Sequence, residues 1–378
     1  MARRFQAVIA GVVTVAALVA PAGASPGESV QPRRIGASPG ELVLPAPTGR
    51  HPIGWARLHL VDEDRTDPWV PTGPRELMVS VWYPAAAARG DRVPYATAEE
   101  SRLLLAQYGI TDVPSDALTR IRTHARVGAP PLRTPHHRRP LVVLSPGLAF
   151  PRWTLTTPAE DLASRGYVVV GVDHTYEGAA VTFPDGRVAV CVVCAGGTSG
   201  AAIIASRALD ISFVLDRVLD RYRDLIDPHR IMAAGHSIGG AAAATTMLAD
   251  SRVDAGVNLD GSFQPALTQD LPRPFLLVSA EDRSPGLRPD WDRTWPHLTG
   301  WRRWLHVPDV GHASLSDASV VVEWLGLPTG PLPGARVVEI TRTYVAAFAD
   351  KHLRHRSQPL LDGPSPRFPE VHFVGPPR

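Results

Sequence analysis

The chain has 378 residues, and its 39 Lys and Arg residues nearly balance its 37 Asp and Glu residues. This balance argues against a dedicated nucleic-acid-binding protein, which carries a concentrated basic surplus. Hydrophobic residues make up 44% of the chain and charged residues 20%, which excludes intrinsic disorder and indicates a globular protein of one large or two small domains.

The N-terminus has the order of a secretory signal peptide. Two arginines precede an apolar run over residues 7–20, and a small-residue pattern ending at Ala24 follows. The run is shorter than the ~20 residues that a membrane-spanning helix needs. We therefore predict residues 1–24 to be a signal peptide and the mature protein to be secreted and extracellular. Residues 25–52 are rich in Pro, Gly and Ser, which predicts a flexible leader.

The rest of the chain alternates apolar strands with helices. Strands are predicted at residues 77–83, 141–144, 167–172, 231–234, 255–259, 275–279 and 304–307. Helices are predicted at residues 158–165, 201–219, 239–248 and 337–353. Continuous apolar strands between helices indicate an α/β fold, with a mostly parallel central sheet and helices on both faces.

This pattern predicts one catalytic domain over residues 53–355. Mixed helical patterns near residues 95–130 predict a lid-like insertion over one end of the sheet. Residues 356–378 are expected to form a C-terminal tail. In such sheets ligands bind beyond the carboxyl ends of the strands, so the residues that follow each strand are the candidates for chemistry.

The cysteine content of the chain is limited to Cys191 and Cys194. A turn signal precedes the pair and two glycines follow it, which is not the context of a redox motif. A zinc site is not expected either, because no second ligand pair lies at a fitting spacing. In an exported protein we expect these cysteines to form a local disulfide.

A Gly-x-Ser-x-Gly pattern places Ser237 directly after a predicted strand and before an alanine-rich helix. A serine on such a sharp turn projects its hydroxyl into the cleft, and the flanking Gly235 and Gly239 leave room for the backbone. The helix that follows favours developing negative charge at its N-terminus. This context predicts that Ser237 is a nucleophile.

A nucleophilic serine needs a base and an acid, which follow it in the chain in this architecture. His312, after a glycine in a loop beyond the last strand, is the predicted base, whereas His306 lies inside that strand and is expected to pack there. Asp260 and Asp282 each follow a strand and are the alternatives for the acid that orients the imidazole.

The oxyanion of the tetrahedral intermediate that a nucleophilic serine forms needs two donors. One is the backbone N–H of Ile238, directly after the nucleophile. The second is expected from the loop after the strand at residues 141–144, where Pro146 has no N–H and Leu148 is the best placed residue.

The chain resembles an α/β-hydrolase of the secreted, lipase-like platelet-activating-factor acetylhydrolase family. The resemblance covers roughly residues 141–312, and it is carried by the segments LSPGLAF, VVVGVDHTYEG, GHSIGG and NLDGSFQP and by the late Gly-His. It implies that the acid is Asp260, leaving Asp282 as the alternative, and that Leu148 and Ile238 supply the oxyanion donors. It also implies a carboxylic ester hydrolase similar to a 1-alkyl-2-acetylglycerophosphocholine esterase.

The sequence therefore predicts a serine esterase that forms an acyl-enzyme and acts on short-acyl or phospholipid-type esters. No metal or organic cofactor is required, and the expected partner is a small-molecule or lipid ester rather than a nucleic acid. A cutinase-like or broad lipase activity is the alternative within enzymes, and a non-catalytic binding protein is the alternative outside them. Four tryptophans in residues 291–304 indicate core packing or, alternatively, a patch for transient contact with a lipid surface.

Overall fold

The computed structural model describes residues 40–134, 137–280 and 288–375. Within these ranges the strands, numbered in chain order, are β1 (Leu42–Val43), β2 (Ile53–Thr66), β3 (Pro74–Pro84), β4 (Arg92–Pro94), β5 (Ile121–Val127), β6 (Arg139–Ser145), β7 (Val168–His174), β8 (Val181–Thr182), β9 (Val188–Ala189), β10 (Ile226–His236), β11 (Ala255–Leu259), β12 (Phe275–Ser279), β13 (Arg302–His306) and β14 (His372–Val374).

The helices lie between these strands. They are α1 (Ala98–Gln107), α2 (Thr156–Ser164), α3 (Gly200–Arg221), α4 (Ile238–Ala249), α5 (Pro289–Thr294), α6 (Ala318–Trp324) and α7 (Gly334–Leu353). Local sequence explains several of their ends. Thr97 and Glu100 form a reciprocal capping box at the start of α1, and Gly166, with φ of +99°, follows the end of α2.

The central sheet has the strand order β1-β5-β2-β3-β7-β6-β10-β11-β12-β13-β14, with β4 paired to β5. From β7 to β13 all neighbouring strands are parallel, and β2, β3 and β14 add antiparallel pairs towards the edges. The predicted α/β fold with a mostly parallel sheet is therefore confirmed. Gly235 pairs with Ser145 and His236 with Leu259, so the residues that follow β6, β10 and β11 meet at one edge of the sheet.

Alternate residues of each inner strand point to opposite faces of the sheet and pack into two separate hydrophobic cores. In β6, Val142 and Leu144 face the core under α2 and α7, whereas Leu141 and Val143 face the core under α3 and α4. Both faces of the sheet are thus covered, which explains why its strands are apolar without alternation.

Three of the four clustered tryptophans belong to the core, and the fourth, Trp301, is partly buried against it. Trp291 and Trp304 are fully buried and their rings lie 5.1 Å apart, and Trp295 packs on Trp304. The alternative of a lipid-contact patch does not hold for these three residues, because their rings do not reach the surface.

Three segments are more integrated into the fold than the sequence indicates. Within the expected leader, residues 40–52 pack on the domain, where β1 pairs with β5 and Leu44 is buried. Within the expected tail, β14 pairs with β13 and Phe368 is buried. The segment near residues 95–130 contains α1, but its second half is strand β5, which joins the sheet. Each addition covers backbone groups at a sheet edge that would otherwise stay unpaired.

Candidate active site

Ser237 lies at the turn between β10 and α4, with φ of +54° and ψ of −130°. A β-carbon on Gly239 would come within 2.1 Å of the main-chain oxygen of Ser145, and one on Gly235 within 2.4 Å of Gly239. Only glycine allows the two ends of this turn to lie so close to each other and to β6. The turn holds the Ser237 side chain at a fixed position. Because Ser237 is only half-buried, its hydroxyl remains accessible.

His312 lies within hydrogen-bond distance of both other predicted residues. Its Nε2 atom is 2.8 Å from Ser237 Oγ, and its Nδ1 atom is 2.5 Å from Asp260 Oδ2. The His312 side chain is 43% exposed, whereas Asp260 is fully buried at the end of β11. Asp260 also accepts a hydrogen bond from the backbone N–H of Ala280 through its other carboxylate oxygen, at 3.1 Å. The three side chains form one hydrogen-bonded chain at the carboxyl ends of β10, β11 and β13.

The structure gives a position for the alternative base, His306, but not for the alternative acid, Asp282. His306 lies in β13, where its Nδ1 atom is 3.1 Å from Ser279 Oγ, so it packs in the sheet as expected. Asp282 lies outside the described residues, so the structure gives no position for it.

The loop after β6 lies directly against the nucleophile. A β-carbon on Gly147 would be 3.4 Å from Ser237 Cβ and 2.8 Å from His236 Nδ1. The carbonyl of Gly147 accepts a hydrogen bond from Phe150 N–H, and in a trans peptide the N–H of Leu148 points the opposite way. Ile238 is the first residue of α4, where backbone N–H groups have no acceptor within the helix. Ile238 thus adjoins Ser237 in the chain, and the loop that carries Leu148 lies against Ser237.

His236 is a site residue that the sequence pattern does not single out. Its ring lies 5.7 Å from the ring of Phe150 and 4.9 Å from that of His312. Its Nε2 atom donates to the main-chain oxygen of His312 at 2.7 Å, which fixes the loop that carries the base. Tyr108, at the end of α1, contacts Phe150 at 5.6 Å and extends this row of rings to the surface. The signal in the sequence is an aromatic side chain next to the nucleophile.

Arg288 is a second residue that sequence reasoning missed. It is buried, with Nη1 3.7 Å from Asp260 Oδ1 and Nη2 3.0 Å from Ser262 Oγ, and its guanidinium lies over the Trp291 ring. A cation at this position offsets part of the cost of burying the carboxylate.

The expected disulfide is present between Cys191 and Cys194. It lies in the segment between β9 and α3, and the backbone N–H of Val192 donates to the carbonyl of Tyr176. Across residues 40–134, 137–280 and 288–375, no group of three or more His, Cys, Asp or Glu side chains is arranged to hold a metal ion. In the same ranges no helix is both long and apolar enough to cross a bilayer.

This sheet order, together with a serine at the sharp turn between a central strand and the following helix, defines the α/β-hydrolase class. The chain belongs to this superfamily and is a carboxylic ester hydrolase. Residues 41–187 match the family "Platelet-activating factor acetylhydrolase, isoform II", a stretch that ends before the serine turn.

Individual relatives agree with this placement. The chain is 29% identical over 369 residues to a probable 1-alkyl-2-acetylglycerophosphocholine esterase of Arthroderma benhamiae, covering 87% of this chain and 92% of the relative. It is 27% identical over 190 residues to the platelet-activating factor acetylhydrolase of Canis lupus familiaris, covering 40% and 42% of the two chains. The structure of a ferulic acid esterase from Streptomyces cinnamoneus superposes with a TM-score of 0.81 at 44% identity, covering 89% of this chain and all of that one.

Proposed function

We propose that the protein hydrolyses carboxylic esters through an acyl-enzyme on Ser237. The observation that carries the proposal is the hydrogen-bonded chain from Ser237 Oγ through His312 to Asp260. His312 Nε2 accepts the serine proton as Oγ attacks the ester carbonyl, and it returns that proton to the leaving alcohol. Asp260 accepts a hydrogen bond from His312 Nδ1–H, which holds the imidazole in the required tautomer and stabilises the imidazolium.

The negative oxygen of the tetrahedral intermediate is held by the backbone N–H groups of Leu148 and Ile238. Preorganised donors of this kind stabilise the transition state because they need no reorientation during the reaction. Water, activated by His312, then attacks the acyl-enzyme and releases the acid.

We propose short-acyl or phospholipid-type esters as the substrate class. The family match and the esterase of Arthroderma benhamiae support this choice. A second candidate is an ester of an aromatic acid, because the rings of Tyr108 and Phe150 extend from the site to the surface and because of the similarity to a ferulic acid esterase. A cutinase-like or lipase activity on longer chains is the remaining alternative among ester hydrolases.

We also propose that the protein is secreted. The signal-peptide pattern of residues 1–24 and the cysteine pair at 191 and 194 support export to an oxidising compartment. Mass spectrometry of protein recovered from the culture medium and from the cells tests this. An N-terminus at Ser25 in the medium is the expected result, and an uncleaved chain found only in the cells is the contrary one.

The enzymatic proposal is tested with wild type, Ser237→Ala, His312→Gln and the control His306→Gln. Turnover of p-nitrophenyl acetate is expected to fall at least about 10³-fold in the first two variants and to stay near wild type in His306→Gln. A Ser237→Ala variant that retains wild-type turnover would remove the assignment.

A panel of p-nitrophenyl esters from two to twelve acyl carbons, a 2-acetyl phospholipid and methyl ferulate separates the substrate classes. Preference for the acetyl substrates supports the first choice, and preference for methyl ferulate supports the second. A maximum at eight carbons or more supports the lipase alternative. Failure of the folded protein to react with any ester or with a fluorophosphonate would contradict the proposed mechanism.

A further inference from the structure

A buried ion pair clamps the loop that carries the Leu148 donor. Arg207, on α3, is 1% exposed, and its Nε atom lies 2.6 Å from Glu177 Oε2, which is fully buried. Arg207 Nη1 donates to the main-chain oxygen of Pro146 and, at 3.3 Å, to Ser145 Oγ. The guanidinium therefore spans from the acid to the first peptide of the loop.

The main chain of the same residue, Glu177, holds the other end of the loop. The main-chain oxygen of Glu177 accepts a hydrogen bond from Ala149 N–H at 2.8 Å. Pro146 and Ala149, which flank the Gly147–Leu148 peptide, are thus tied to one residue: Pro146 through Arg207 and Ala149 directly.

The loop needs such anchors because its own backbone preferences oppose its shape. Ala149 has φ of +64°, a left-handed conformation that residues with a β-carbon adopt at an energetic cost. The Gly147 carbonyl is fixed by Phe150 N–H, so the three successive peptide groups around Leu148 N–H are each hydrogen-bonded. In these hydrogen bonds Arg207 supplies the side-chain contact and the other partners are main-chain groups.

We infer that Arg207 is a positioning residue for the oxyanion site: by fixing the Pro146 carbonyl it sets the direction of the Leu148 N–H towards Ser237. The inference rests on the proposed function, since it assigns a purpose to the donor loop. Burying an arginine and a glutamate is a weak route to stability, because desolvation offsets most of their attraction. A role in positioning the donor loop accounts for the place of the pair under this loop.

The variants Arg207→Gln and Arg207→Lys test the inference. Glutamine cannot reach both Glu177 and Pro146. Lysine keeps the charge opposite Glu177, but its single ammonium group cannot reproduce the two-ended contact of the guanidinium. Arg273→Gln is the matched control, because Arg273 also donates to main-chain oxygens, those of Met247 and Val253, at the end of α4 far from Ser237.

The measurements are kcat and KM on p-nitrophenyl acetate, the inhibition constant of a trifluoromethyl ketone, and the melting temperature. Displacing a donor by a fraction of an ångström is expected to lower kcat roughly 10- to 100-fold in Arg207→Gln with KM within about twofold. The affinity for the ketone, whose adduct carries the same oxyanion, should fall by a similar factor. Arg207→Lys should show a smaller loss of the same pattern, and Arg273→Gln should lower the melting temperature without changing kcat.

Two results overturn the inference. One is wild-type kcat in folded Arg207→Gln, or in Arg207→Lys if the glutamine variant does not fold. The other is a loss of kcat in the Arg207 variants that leaves the ketone affinity unchanged. Either result, obtained with an inactive Ser237→Ala variant, leaves the proposed esterase function intact, whereas an active Ser237→Ala variant removes the function itself.

Discussion

Gly147 leaves no room for a β-carbon at the point where the donor loop meets the nucleophile. An alanine there would place its β-carbon 2.8 Å from His236 Nδ1, 3.3 Å from His236 Cε1 and 3.4 Å from Ser237 Cβ. The His236 ring cannot turn aside, because it is stacked on Phe150 and hydrogen-bonded to the His312 carbonyl. The loop in Gly147→Ala must therefore move away by roughly 0.5–1 Å to restore ordinary van der Waals contact.

A displacement of this size moves Leu148 N–H out of range of the oxyanion. We expect kcat of Gly147→Ala on p-nitrophenyl acetate to fall roughly 10- to 100-fold and the free energy of unfolding to fall by about 1–3 kcal/mol from overpacking. Gly73→Ala is the control, because nothing lies within 4 Å of a β-carbon at Gly73. Full activity in a folded Gly147→Ala variant would refute the close approach of the loop to Ser237.

The remaining predictions concern the acid, a buried carboxylate and the surface ring. Asp260→Asn should lower kcat by about 10⁴ in steady-state assays while leaving KM nearly unchanged, because asparagine does not hold the imidazole in the required tautomer; a small loss would point to another acid. Burial raises the pKa of Asp317 to about 7, with repulsion from Glu160 adding to the effect. The native state therefore binds this proton more tightly than the unfolded state, and stability is lost as the pH rises from about 4 to about 7. Urea titrations measure the free energy of unfolding of wild type and of Asp317→Asn. As the pH rises from 4 to 8, the free energy of unfolding of Asp317→Asn should increase by up to about 4 kcal/mol relative to that of wild type, and a pH-independent difference would contradict this assignment. Tyr108→Ala should lower kcat/KM for methyl ferulate roughly 3- to 10-fold with little change for p-nitrophenyl acetate, and equal losses on both esters would mean that Tyr108 does not select the acyl group.

The inner strands of the sheet could be predicted because both of their faces are buried, so their sequences are continuous apolar runs. The predictions at residues 255–259 and 275–279 match the bounds of β11 and β12. Strand β2 (Ile53–Thr66) was missed because charged residues fill much of it, and charged side chains also made β5 look helical. These strands lie towards the edge of the sheet, where solvent accepts polar side chains and tertiary pairing decides the structure.

The candidate site was predictable to the extent that its residues follow strands. Ser237 and His312 could be singled out from a motif and a loop position, whereas choosing Asp260 required the resemblance to a family. Arg207 and Arg288 could not be found in this way, because they act through contacts with residues far away in the sequence, including main-chain atoms that carry no residue signature. For His236 the sequence offered only its place next to the nucleophile, and its contact with the His312 carbonyl is equally distant in the sequence.

The acyl-enzyme on Ser237 is the central claim, and trapping it tests that claim most directly. Wild-type protein mixed with p-nitrophenyl butyrate, quenched in acid within milliseconds and digested is examined by mass spectrometry. The account predicts one butyryl group on the peptide that contains Ser237, absent from Ser237→Ala. Turnover with no acylated peptide, or with the butyryl group on another residue, would contradict it.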